Sequence, residues 1–154
     1  MKYLKAELYE TDTINSSPET DDAWKSAYLE YMNQYSMIQK KLPKNFTEYY
    51  GKKHLHDCQL LLFRIDQDKQ YGKKSPSLIF EWKEPLKATT SFTIEYCGLQ
   101  EFHCTNMGKY SLYPQDYLYG EILGNEMLSH EFVLDTGVVF YIRFQKLKFT
   151  LHKP

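Results

Sequence analysis

The spacing of apolar and polar positions divides the chain into a helical part and a strand part. Trp24, Tyr28, Tyr31, Met32, Tyr35, Ile38 and Leu42 recur at mostly three- and four-residue steps, which places them on one stripe of a helix. Ser17 is positioned to cap that helix, and Pro18 suits a first helical position where its missing N–H costs nothing. Glu19, Asp21 and Asp22 fall where the helix dipole favours acids, Lys40 and Lys41 suit the other end, and Pro43 stops the helix. A second, shorter helix is predicted over 43–50, packed through Phe46, Tyr49 and Tyr50 and ending at Gly51. Before them, 1–10 reads as a short strand or irregular lead-in and 11–17 as a polar loop.

From residue 56 the period changes to two. Strands are predicted at HDCQLLLFRID, SLIFEWK, SFTIEYCG, LQEFHCT, DYLYGEIL, LSHEFVLD, GVVFYIRF and KLKFTLH, separated by turns at Gly72, Pro85, Gly124 and Gly137. Phe92, Ile94 and Tyr96 oppose Thr93 and Glu95, so one face of that strand is buried. Stretches 56–65 and 138–144 are apolar on both parities and are expected to be central strands covered on both sides. The expected fold is α+β: one long N-terminal amphipathic helix plus a short helix packed on a mostly antiparallel, strongly bent β-sheet or partly closed barrel. A single domain is expected, its helical part about 18–50 and its sheet part about 56–152.

Composition narrows the function classes. With 154 residues, 42% hydrophobic, and only Gly 7, Pro 6 and Cys 3, the chain is neither a fibrous repeat nor a disulfide-held scaffold. A net charge of -1 and only two arginines, Arg64 and Arg143, argue against nucleic acid as a partner. The charge is uneven: 1–33 carries seven acids and three lysines, whereas 139–154 carries four bases and no acid. Cys58, Cys97 and Cys104 are odd in number and lack CxxC spacing, which points to a reducing cytoplasm. No apolar run reads as a signal peptide or approaches the roughly 20 residues of a membrane span, so no membrane association is expected.

The densest chemical cluster is His54-Leu55-His56-Asp57-Cys58. HxH in an extended segment puts both imidazoles on one side, the geometry a divalent metal needs, and Glu101 and His103 with Cys97 and Cys104 form a second group that could complete a mixed site. Asp57 beside His56 reads either as an orienting carboxylate for a general base or, more simply, as a turn residue. HxH before a β-rich body resembles the cupin barrels, but the glutamate that follows their HxH pair is missing from Asp57-Cys58-Gln59-Leu60-Leu61-Leu62, and no PxG turn stands near His103. No GxSxG elbow, GxxxxGK[ST] or GxGxxG is present. The 14 tyrosines are the oddest feature of the composition; they read either as rings that fill a core short of aliphatic side chains or as a recognition surface, for which Tyr110, Tyr113, Tyr117 and Tyr119 are the candidates.

The opening MKYLKAELYE, the Trp/Tyr-rich first helix, the LPKNF turn and Leu55-His56-Asp57 resemble small uncharacterised cytoplasmic proteins of low-GC bacteria, of the domain-of-unknown-function kind. The similarity covers roughly the first 65 residues and implies no activity. The expected function is that of a non-enzymatic protein-interaction or accessory protein, immunity-like, with another protein as partner and no cofactor. The alternative is a small metal-dependent enzyme or small-molecule binder built on His54, His56 and His103 with Asp57 or Glu101. Ligand carriage inside the barrel would require an apolar cavity of about 300 Å³ or more.

Overall fold

The two predicted helices and eight predicted strands form, and the sequence devices at their ends explain most of their boundaries; most of the lead-in and loop expected over 1–17 lies outside the described residues. The computed structural model describes residues 1–5, 17–53, 55–67, 76–85, 90–106, 115–124 and 126–152. Helix α1 spans Pro18–Ile38 with Glu19 and Asp21 in its first turn, and the Asp21 N–H donates to Ser17 O at 3.0 Å to close the first turn. A 3-10 turn, Gln39–Lys41, follows; Leu42 is then extended, as a residue before proline must be, and Pro43 leads into α2, Lys44–Lys53. The predicted stripe is the buried one: Tyr31, Tyr35, Ile38 and Leu42 are buried, while Trp24, Tyr28 and Met32 pack against the core from its margin.

Eight strands follow: β1 Gln59–Asp66, β2 Ser77–Lys83, β3 Ser91–Cys97, β4 Glu101–Thr105, β5 Gln115–Gly124, β6 Leu128–Leu134, β7 Val139–Phe144 and β8 Lys146–His152. They form one antiparallel sheet in the order β4-β7-β6-β5-β1-β2-β3-β8. The sheet bends until its inner faces meet. Phe80 of β2 lies 5.5 Å from Phe132 of β6 and 5.2 Å from Phe140 of β7, although those strands are not neighbours, and Tyr96 of β3 lies 4.9 Å from Phe144 of β7. The sheet is not closed, because β4 and β8 remain its two edges.

The chain turns two sharp corners to achieve this. β3 passes into β4 through Gly98, Leu99 and Gln100, and β7 passes into β8 through Gln145 alone, so each pair of strands crosses from one half of the sheet to the other. The corners face one another: Gln145 N–H donates to Cys97 O at 3.1 Å and Gln100 N–H to Arg143 O at 2.9 Å. Gly98 has φ +67, and an added Cβ there would stand 2.7 Å from Gln145 Oε1.

The helices cover β5 and β8. Phe46 packs on Phe149 at 5.6 Å, Tyr49 on Phe92 at 5.1 Å, and Trp24 meets Tyr119 edge-on at 5.9 Å.

Three expectations are corrected. The first strand begins at Gln59 rather than His56, and instead of being covered on both faces it leaves Leu61, Leu62 and Ile65 exposed at 51%, 41% and 51%. A bulge between Leu60 and Leu62 changes the facing of this apolar run, and its register with β5 extends over two residue pairs. In β7 the two faces differ: Phe140, Ile142 and Phe144 are buried, while Val139 and Tyr141 are half-buried and Arg143 is exposed. Tyr117 and Tyr119 are buried, at 2% and 8% exposure, because Tyr117 packs against Trp82 and Phe132 inside the bend while Trp24 of α1 covers Tyr119. They cannot form the expected exposed surface; Tyr110 and Tyr113 lie outside the described residues.

Candidate functional site

Among the described residues, the predicted histidine clusters do not form a common metal group. His56 and Asp57 lie in the turn between α2 and β1, where Asp57 takes φ +62, so the two side chains can meet as strand neighbours could not: His56 Nδ1 is 2.9 Å from Asp57 Oδ1. Glu101 and His103 stand two residues apart on the exposed edge strand β4, with His103 Nε2 2.7 Å from Glu101 Oε1. Each histidine thus has its own local carboxylate. Among the described residues no group of three His, Cys, Asp or Glu side chains could hold a metal ion; His54 lies outside them.

A different polar arrangement occupies the interior. His130 on β6 is fully buried, its Nδ1 2.7 Å from Tyr96 Oη and its Nε2 3.3 Å from Tyr117 Oη. Tyr117 is hydrogen-bonded to Tyr50, whose hydroxyl also lies 3.0 Å from Tyr31 Oη and donates to Gly120 O at 3.2 Å. Tyr31 Oη in turn accepts the Ile122 N–H at 3.0 Å. One assignment of protons uses every donor: Tyr96 donates to Nδ1, Nε2–H to Tyr117, Tyr117 to Tyr50, Tyr31 to Tyr50, and Tyr50 to the Gly120 carbonyl. Two helices and three strands are joined by this relay.

Its members are held neutral. Burial pushes the His130 imidazole down to about 3. Burial likewise raises Tyr31, Tyr96 and Tyr117 well above the usual phenol range, and Tyr50 is pushed up to about 12, with hydrogen bonds from Tyr31 and Tyr117 opposing the rise. Gly120 makes room for the relay, since a Cβ there would stand 2.3 Å from Tyr117 Oη and 2.6 Å from Phe132 Cβ.

Glu121 is the second buried polar group that the sequence reading missed. Its carboxylate accepts the N–H groups of Lys2 at 2.8 Å, Tyr3 at 2.6 Å and Leu4, and so fixes the lead-in on β5. The Met1 amino group lies 2.7 Å from Oε2 of Glu131, the residue opposite Glu121 on β6. Lys2 and Tyr3 line one cavity, of about 510 Å³, with the polar groups of Gln34, Glu126, Ser129 and Arg143. Leu4 faces another cavity.

This second cavity, of about 460 Å³, is an open cleft between α1 and β5. Trp24, Lys25, Tyr28 and Tyr31 of α1 line it, together with Tyr50 of α2, Leu55 and His56 of the turn, and Tyr117, Leu118, Tyr119 and Gly120 of β5. Six aromatic side chains therefore surround one apolar space. Three of them, Tyr31, Tyr50 and Tyr117, belong to the buried relay, which fixes that part of the wall through hydroxyls already engaged inside the fold. Such a lining can hold a flat apolar molecule by ring packing and offers few polar groups to orient it. The sequence carried a partial signal of this interior: His130 shares its parity with Leu128, Phe132 and Leu134, and Glu121 sits between Gly120 and Ile122 in a run buried on both parities.

No protein-family model matches the chain, and no curated protein matches it. A distant structural neighbour is a crystal structure of an uncharacterized protein from Neisseria gonorrhoeae, at 15% sequence identity and a TM-score of 0.45, over 61% of this chain and 90% of that one.

Proposed function

We propose that this chain is a non-enzymatic binding protein that takes a small, flat, mostly apolar molecule into the cleft between α1 and β5. The observation that carries the reading is the aromatic cavity of about 460 Å³, which exceeds what ligand carriage requires and sits on a rigidly wired wall. Catalysis has less support: His56 and His103 are each paired with a local carboxylate, and the buried His130 is held by two tyrosines. An accessory role in a bacterial cytoplasm suits such a protein, since Cys58, Cys97 and Cys104 are not joined in disulfides. A second reading, docking of a protein partner, is favoured by the exposed aliphatic side chains of β1.

Titration with 2-methoxynaphthalene, followed by amide chemical shifts, tests the cleft. Saturable shifts centred on Trp24, Tyr28, Leu118 and Gly120 are expected. Shifts centred elsewhere, or none up to the solubility limit of the probe, would refute the reading.

A further inference from the structure

One polar side chain on the cleft has half of its hydrogen-bonding capacity unspent. His56 lines the cavity, and its Nδ1 is taken by Asp57 at 2.9 Å. An aspartate carboxylate only accepts, so the proton at that contact sits on Nδ1, and in the neutral form of the ring the lone pair is then at Nε2. The turn itself is fixed by its backbone: Asp57 N–H donates to Tyr117 O at 2.9 Å and Cys58 N–H to Leu55 O at 3.0 Å. Nε2 has no partner among the described residues.

The charges around the cleft set the rest of the specificity. Lys25, the cation on its wall, lies 3.9 Å from Asp22, and His56 is backed by Asp57. Asp116 lies close behind; its carboxyl is pushed up by burial and by the nearby Asp135 and Asp57. The Lys25 charge is thus offset and the field behind His56 is acidic, which disfavours an anionic ligand. The aromatic wall favours a planar ring system.

We infer that the cleft selects a neutral aromatic molecule bearing one hydrogen-bond donor, of the phenol class, whose hydroxyl donates to His56 Nε2 while its rings pack among Trp24, Tyr28 and Tyr119. This rests on the small-molecule reading above and adds to it the polar group of the ligand.

The test compares two probes of nearly the same shape by isothermal titration calorimetry: 2-naphthol, which carries the donor, and 2-methoxynaphthalene, which lacks it and is the more apolar. The wild-type protein is expected to bind 2-naphthol about tenfold more tightly, the effect of one satisfied hydrogen bond. Since apolar burial alone would reverse that order, the preference reports the hydrogen bond. In His56→Leu the 2-naphthol affinity is expected to fall to that of 2-methoxynaphthalene, which itself should not change. If the wild type binds both probes equally, or if the preference survives in His56→Leu, the assignment of His56 is overturned while the cleft reading stands. If neither probe binds the wild type, the cleft reading fails and this inference fails with it. The wild-type comparison remains decisive even if the variant does not fold.

Discussion

His130 shows how one residue's surroundings can dictate a property of the whole equilibrium. It is enclosed by Tyr96 of β3, Tyr117 of β5 and the ring of Phe132, with no carboxylate bonded to it among the described residues. The imidazole is ordinary in the unfolded chain, with a value of 6.5, and held down to about 3 in the fold. Above about pH 6.5 both states hold it neutral and it exacts no penalty. As pH falls from there towards about 3, the unfolded chain gains a proton that the folded chain refuses, so the folding equilibrium weakens by about tenfold per pH unit from this group alone. His130→Leu removes that dependence and also leaves Tyr96 and Tyr117 short of a partner, so it should be less stable near neutrality. Urea midpoints at pH 7, 6, 5 and 4 are therefore expected to converge as the pH falls. Parallel curves for the two proteins would mean that the folded state can protonate His130.

At the scale of the element, periodicity revealed which segments form but not always what covers them. The stripe of α1 and the alternation of β3 could be read directly because each has one wetter face and one dry face, which is the condition that makes a pattern visible. β1 lacked that clarity: Gln59–Asp66 contains four consecutive apolar residues, and a run of that kind reads as buried on both sides unless the bulge and the missing cover are known. The exposed aliphatic groups that result are where a protein partner would dock, and the simplest occupant is a second copy of this chain. Sedimentation velocity over rising concentration is expected to show self-association that Leu62→Lys abolishes, the side chain being 41% exposed and outside the core. A monomer at every concentration would exclude this form of the partner reading. The candidate site was less legible than the elements, because Tyr31, Tyr50, Tyr96, Tyr117 and His130 come from five elements and no local spacing links them.

At the scale of the molecule, the two corners decide whether eight strands make a flat sheet or an enclosed core. Cys97 pairs with Lys146 and, beyond the corners, Glu101 pairs with Arg143, so the same two stretches of chain run side by side through the bend. Gly98 bears both costs of that geometry. Its φ of +67 is a conformation that side chains resist, and Gln145 fills the space where a Cβ would go, with Oε1 at 2.7 Å, Cδ at 2.9 Å and Cβ at 3.0 Å. Gly98→Ala should therefore destabilise the fold by about 2 kcal/mol, combining roughly 1 kcal/mol of backbone strain with a similar steric cost. The two parts are separable: Gln145→Ala removes the Oε1 and Cδ contacts but leaves φ unchanged. In a double-mutant cycle read by urea denaturation, Gly98→Ala is expected to cost about half as much in the Gln145→Ala background as in the wild type. An equal cost in both backgrounds would assign the whole effect to the backbone, and no cost in either would show that the bend does not depend on this corner.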